Sequence, residues 1–82
     1  MKPQAKTLLQ ELLKRPLTTK AIRDVCGISS VAGSVYELRE SGVPITTELV
    51  PAKTRHGGAT VALYKLPRTA RPSARRLLSR AA

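Results

Sequence analysis

The chain is 82 residues long and carries 15 Lys and Arg against 5 Asp and Glu, a formal net charge of +10. That length fits one small domain, and the charge calls for a polyanionic partner, nucleic acid first and an anionic membrane surface second. With Tyr36 and Tyr64 but no Phe or Trp, single-strand binding by base stacking is not expected.

One cysteine, Cys26, gives no internal disulfide, and one Cys with one His makes no structural zinc site. The longest apolar run is Val61 to Tyr64, so no membrane span is expected. No apolar stretch follows Met1, which points to a cytoplasmic setting without a secretory leader. Charge is uneven: residues 67–82 hold five Arg and no acid. The expected organisation is a body over 1–66 and an Arg-rich tail over 67–82, disordered or a short helix.

In the body, PQAKTLLQELLKR sets Ala5, Leu8, Leu9, Leu12 and Leu13 on one helical stripe. Pro3 suits a first turn and Pro16 ends the helix. Thr18 or Thr19 offers an N-cap for a short helix over about 19–26, with Ile22 and Val25/Cys26 inward and Gly27 as its stop. Ser29 or Ser30 caps a third helix, in which Ile28, Val31/Ala32, Val35 and Leu38 recur at helical spacing until Gly42. Two short helices joined across a glycine make a helix-turn-helix unit. Tyr36 and Tyr64 are expected half-buried in the core, and Arg39 paired with a nearby acid.

After Gly42 the period becomes two. PITTELV and TVALYKL alternate and are rich in β-branched residues, with PAKTRHGGA between them as a loop. They form a β-hairpin with Lys53, Arg55 and His56 at its tip; which face is buried stays open, because both faces of the second strand carry apolar residues. The expected fold is α+β, a winged helix-turn-helix of three helices and a two-stranded hairpin wing.

The stretch GISSVAGSVYELRESGVPI resembles the small helix-turn-helix domains of phage and bacterial mobile elements, in its Gly-Ile, Glu37-Leu38-Arg39, Gly and Ile positions. RHGGATVALYKL is similar to their wing and closing strand, and with the first helix the resemblance covers about residues 5–66. It implies double-stranded DNA binding, to regulate element genes or assist recombination, with the third helix in the major groove.

On that expectation the solvent face of the third helix is Ser29, Ser30, Gly33, Ser34 and Glu37. No Arg, Asn or Gln stands there to make a bidentate contact to a base edge, whereas similar domains often carry basic residues near Ser30 and Ser34. A bare face at Gly33 lets the backbone approach the groove floor; packing against another helix or a partner chain would account for it equally. Thr18, Thr19, Lys20 and Arg23 belong to the helix that crosses the DNA backbone in this motif. The wing offers Lys53, Arg55, His56 and Gly57 to phosphates. The tail offers Arg68, Arg71, Arg75, Arg76 and Arg80, either as a short helix or, from Arg68 and Arg71, as an arm threading a minor groove.

No enzyme is expected. The only His lies in a Gly-rich loop, the acids are scattered, and RHGGAT lacks the Gly-Lys-Ser/Thr ending of a phosphate-cradling loop. No cofactor, metal or small-molecule ligand is implied. A homodimer on repeated half-sites is compatible with the motif. Two other functions fit the charge: an RNA- or ribosome-associated basic protein, disfavoured because the RNA major groove does not admit a helix, and a protein-interaction module using the serine-glycine face.

Overall fold

A computed structural model describes residues 2–55 and 57–81, together with the backbone but not the side chains of Thr54 and Ala81. The elements run α1 (Pro3–Lys14), β1 (Leu17–Thr18), α2 (Thr19–Cys26), α3 (Val31–Glu40), β2 (Thr46–Thr54), β3 (Gly57–Lys65), a 3-10 turn (Arg68–Ala70) and α4 (Arg71–Ala81).

The expected stripe of α1 is its buried face: Ala5, Leu8, Leu9 and Leu12 are at most 1% exposed, with Leu13 packed beside them. Pro3 opens the helix. α1 is the centre of the bundle, since α2, α3 and α4 all pack on it. Each of its fully buried leucines contributes about 1.5–3 kcal/mol relative to an exposed one.

The side chain of Thr18 accepts from the Ala21 N–H at 3.2 Å and starts α2, and Gly27 ends it at φ +67°. Inside α2 Ile22 is fully buried and Cys26 half-buried, but Val25, expected inward, is 45% exposed. The helix is only eight residues long, and its inward arc is too narrow to hold Val25 as well as Ile22 and Cys26.

α3 ends in a Schellman motif. The Gly42 N–H donates to the Arg39 carbonyl at 3.1 Å and the Val43 N–H to the Leu38 carbonyl at 3.0 Å. Gly42 takes φ +93°, a conformation other residues adopt only at a cost, and Val43 closes over Leu38 with both fully buried.

The sheet is antiparallel with order β1-β3-β2. β1, absent from the expected fold, is two residues pairing Leu17 with Tyr64 and Thr18 with Leu63. β2 and β3 pair in nine rungs from Thr46–Lys65 to Thr54–Gly57. The loop expected over residues 51–59 is therefore mostly strand, and Arg55 is in the turn. Ladder pairing overrides the loop-like composition of Pro51, Lys53 and the glycines.

The wing runs about 30 Å at ~3.3 Å per residue, consistent with a longest dimension of 44 Å for the molecule. Its body-facing side is the one carrying Ile45, Tyr64 and Leu66, where Leu17 is also buried. Farther out on that side, Leu49 overhangs the core and is 71% exposed.

The core does not stop at Leu66. Ala70 and Ala74 are buried, Leu77 and Leu78 pack on the core, and Arg71 Nη1 donates to the Leu13 carbonyl at 2.8 Å. Residues 71–81 form the helix α4.

Candidate nucleic-acid interface

The rotation of α3 decides what it can present. Val31, Ser34, Val35 and Leu38 are its buried residues, so the stripe opposite them is Ala32, Gly33, Tyr36 and Glu40, continued backwards by Ser29. This corrects the face taken from the sequence. Ser29, Ser30 and Gly33 are exposed, but Ser34 is 6% exposed and Glu37 only half-exposed. Glu37 Oε1 accepts from the Lys2 backbone N–H at 3.2 Å, which places a carboxylate at the positive end of α1. Ser30, Gly33, Ser34 and Glu37 instead border a shallow cleft of about 180 Å³ shared with Lys2 and Gln4.

Tyr36, expected in the core, is 65% exposed. It lies one residue beyond Val35 and so turns away from the line through Val31 and Leu38. Gly33 has little packing reason within the chain. A Cβ there would meet only Ser30 Oγ at 2.9 Å and Ser30 Cβ at 3.8 Å, and a serine hydroxyl can rotate away. Glycine in a helix interior costs about 1 kcal/mol relative to alanine, so clearance outward is the better account of it.

Arg39 pairs with no acid among the described residues. Its Nε and Nη2 donate to the Ile45 carbonyl at 3.1 and 2.8 Å, and Nη2 also donates to Thr47 Oγ1 at 2.9 Å. A planar guanidinium reaches both acceptors at once. It ties the end of α3 to the start of the wing and so fixes the attitude of one to the other.

The remaining charges sort by type. Every ion pair among the described residues uses a lysine: Lys14–Glu11 at 3.3 Å, Lys20–Asp24 at 3.1 Å and Lys65–Glu48 at 2.7 Å. Arg23, Lys53, Arg55, Arg68, Arg75, Arg76 and Arg80 are exposed and have no ion pair among the described residues. Lys53 is not at the wing tip but opposite Gly58, two rungs below it; Arg55 is in the turn. His56 lies outside the described residues, and Gly57 closes the turn at φ +115°. Thr18 serves as a cap, Thr19 is half-buried and Lys20 pairs with Asp24, so Arg23 is the α2 cation without an ion pair among the described residues. Arg76 and Arg80 border a cleft of about 280 Å³ with Ser41 and Gly42, at the C-terminal end of α3 and away from its first turn.

The family model described as a winged helix-turn-helix domain matches residues 3–69, most of the chain. The protein belongs to that family. No curated protein and no solved structure matches it. In this winged helix α2 and α3 are the helix-turn-helix, β2 and β3 are the wing, and α4 lies beyond the matched segment although it helps close the core.

Ala32 and Tyr36, which helical spacing and residue type assign to the core side, stand on the exposed stripe of this winged helix. The spacing of Val31, Val35 and Leu38 held the signal, since Ser34 falls three residues after the first and four before the last. The exposed Lys2 and Gln4 beside Ser30 carry no local pattern that marks them in the sequence. Among the described residues no group of His, Cys, Asp or Glu could hold a metal ion, and no helix is long and apolar enough to cross a membrane.

Proposed function

We propose that this winged helix is a sequence-specific double-stranded DNA-binding protein that regulates transcription or assists recombination in a phage or other mobile element. What carries the proposal is the pairing of an exposed α3 stripe with a surplus of arginines that the chain's own acids do not neutralise. A helix of this width enters the major groove of B-form DNA. In this reading the first turn of α3, with Ser29, Ser30 and Gly33, approaches the base edges. Arg23 and the N-terminal turn of α2, with Thr18, Thr19 and Lys20, lie against the backbone. Lys53 and Arg55 carry the wing along an adjacent stretch of phosphates, and Arg68, Arg75, Arg76 and Arg80 add sequence-independent attraction.

The setting that goes with it is cytoplasmic, at the nucleoid or in an infected bacterial cell. Two copies on repeated half-sites about one turn apart would double the footprint. The chemistry is binding alone, without catalysis or cofactor.

The test is selection from a random duplex library at physiological salt, with structured RNA as competitor. A recovered motif, and a slope of log K against log[salt] near −5 for about six neutralised phosphates, is the expected result. Binding that is flat with salt, or that prefers the RNA, refutes the proposal.

A further inference from the structure

We propose that Ala32 and Tyr36 read the 5-methyl groups of thymine in the major groove, so that the preferred site is defined by thymines rather than by guanines. The inference rests on the DNA-binding reading above and deepens it.

Three observations converge on the same surface. Ala32 and Tyr36 lie one turn apart on the outward stripe of α3, and Tyr36 leaves 65% of its surface exposed. Of the ten residues of α3, the long polar ones are removed from a central reading role. Glu37 holds the start of α1, Arg39 holds Ile45 and Thr47, and Glu40 sits in the last turn. Gly33 adjoins Ala32 and lies one turn from Tyr36, and only the rotatable Ser30 side chain stands near the place of its missing Cβ, so the α3 backbone can come closer to a groove floor there than a side chain would permit. A helix stripped of bidentate donors but carrying apolar carbon at close range has one distinctive base feature available to it, the thymine methyl, which no other base presents in the major groove. The occupant is duplex DNA rather than a protein because the surrounding charge selects a polyanion: the chain is +10, and Arg23, Lys53 and Arg55 of the neighbouring α2 and wing stand unpaired among the described residues.

The experiment uses the full chain and the best duplex from the library selection. Each thymine is replaced singly by deoxyuridine, which keeps every hydrogen bond and removes only the methyl. At one or two central positions the parent protein should lose about four-fold in affinity, the worth of one buried methyl. Tyr36→Ala and Ala32→Ser, both at exposed positions and checked for fold by circular dichroism, should bind more weakly, and the uridine penalty at the corresponding position should vanish. A defined motif with no uridine penalty at any thymine overturns the inference and leaves the DNA-binding reading standing. Failure to select any duplex overturns both. A Tyr36→Ala protein with unchanged DNA affinity but an altered oligomeric state would make this stripe a protein interface, which also overturns it.

Discussion

Replacing Arg39 by alanine removes three hydrogen bonds at one stroke: two to the Ile45 carbonyl and one to Thr47 Oγ1. Hydrogen bonds to a charged donor contribute about 1.5–3 kcal/mol when shielded. The guanidinium here is exposed and the carbonyl can be rehydrated, so the expected loss is about 1–2 kcal/mol. For a domain this small each kcal/mol lowers the melting temperature by about 4–8 °C, which gives a drop of about 4–16 °C by circular dichroism. Arg39→Lys keeps the charge but places it on a flexible stem that cannot bridge both acceptors, and should lose nearly as much. Thr47→Val removes only the hydroxyl contact, and a cycle with Arg39→Ala isolates the coupling between the two side chains. The lysine variant should also bind duplex DNA more weakly with an unchanged salt slope, because the attitude of the wing rather than the charge has been lost. If Arg39→Lys melts within about a degree of the parent, a bridging guanidinium is not what fastens the wing.

Gly33→Ala should raise stability by a few tenths up to about 1 kcal/mol, since only the Ser30 hydroxyl must turn aside, while DNA affinity falls; lower stability would show that the site is closed by packing. Neutralising Arg75, Arg76 and Arg80 together with glutamine should leave the melting temperature within a few degrees, as all three are exposed, and reduce the magnitude of the salt slope by about 2.7 if each meets a phosphate. An unchanged slope would remove α4 from the interface. Burial pushes the Cys26 thiol up from its ordinary value of 9.0, and the Glu11 carboxylate adds to the rise. Cys26 should therefore react with a disulfide reagent at pH 8 more slowly than a free cysteine, and Glu11→Gln should speed it. The folded chain holds that proton more tightly than the unfolded one, so stability should decline as pH rises past 9.0.

The framework was legible because large aliphatic side chains at strict spacing leave little choice. Ala5, Leu8, Leu9 and Leu12 defined α1, and Gly27 and Gly42 punctuated the helix-turn-helix at the positions where the backbone turns left-handed. The interface was less so. In α3 the helical reading sets Ser34 on the solvent face, and Tyr36 reads as half-buried core. The positions of Val31 and Leu38 reverse both, which buries Ser34 and exposes Tyr36. The outer wing was hidden because Pro51, Lys53 and the two glycines look like loop, and only pairing with a partner strand makes them extended. β1 is too short to carry a period. The role of Arg71 could not be seen either, since its acceptor, the Leu13 carbonyl, lies 58 residues away along the chain.

Beyond the two rungs shared with β1, the wing is a free-standing ribbon. Among the described residues, β2 pairs with no strand on its outer side and no third strand runs along residues 57–62 of β3. Ribbons of this kind template further strands, and Pro51, which offers no N–H, together with Lys53 and Arg55 works against that. The larger protection is mutual repulsion between copies that each carry +10. That repulsion reaches about 10 Å at 0.1 M salt and only about 3 Å at 1 M. Salt strong enough to strip the protein from a polyanion therefore also lets two wings meet edge to edge, so the charge that recruits a partner is what keeps the unpartnered chain from assembling with itself.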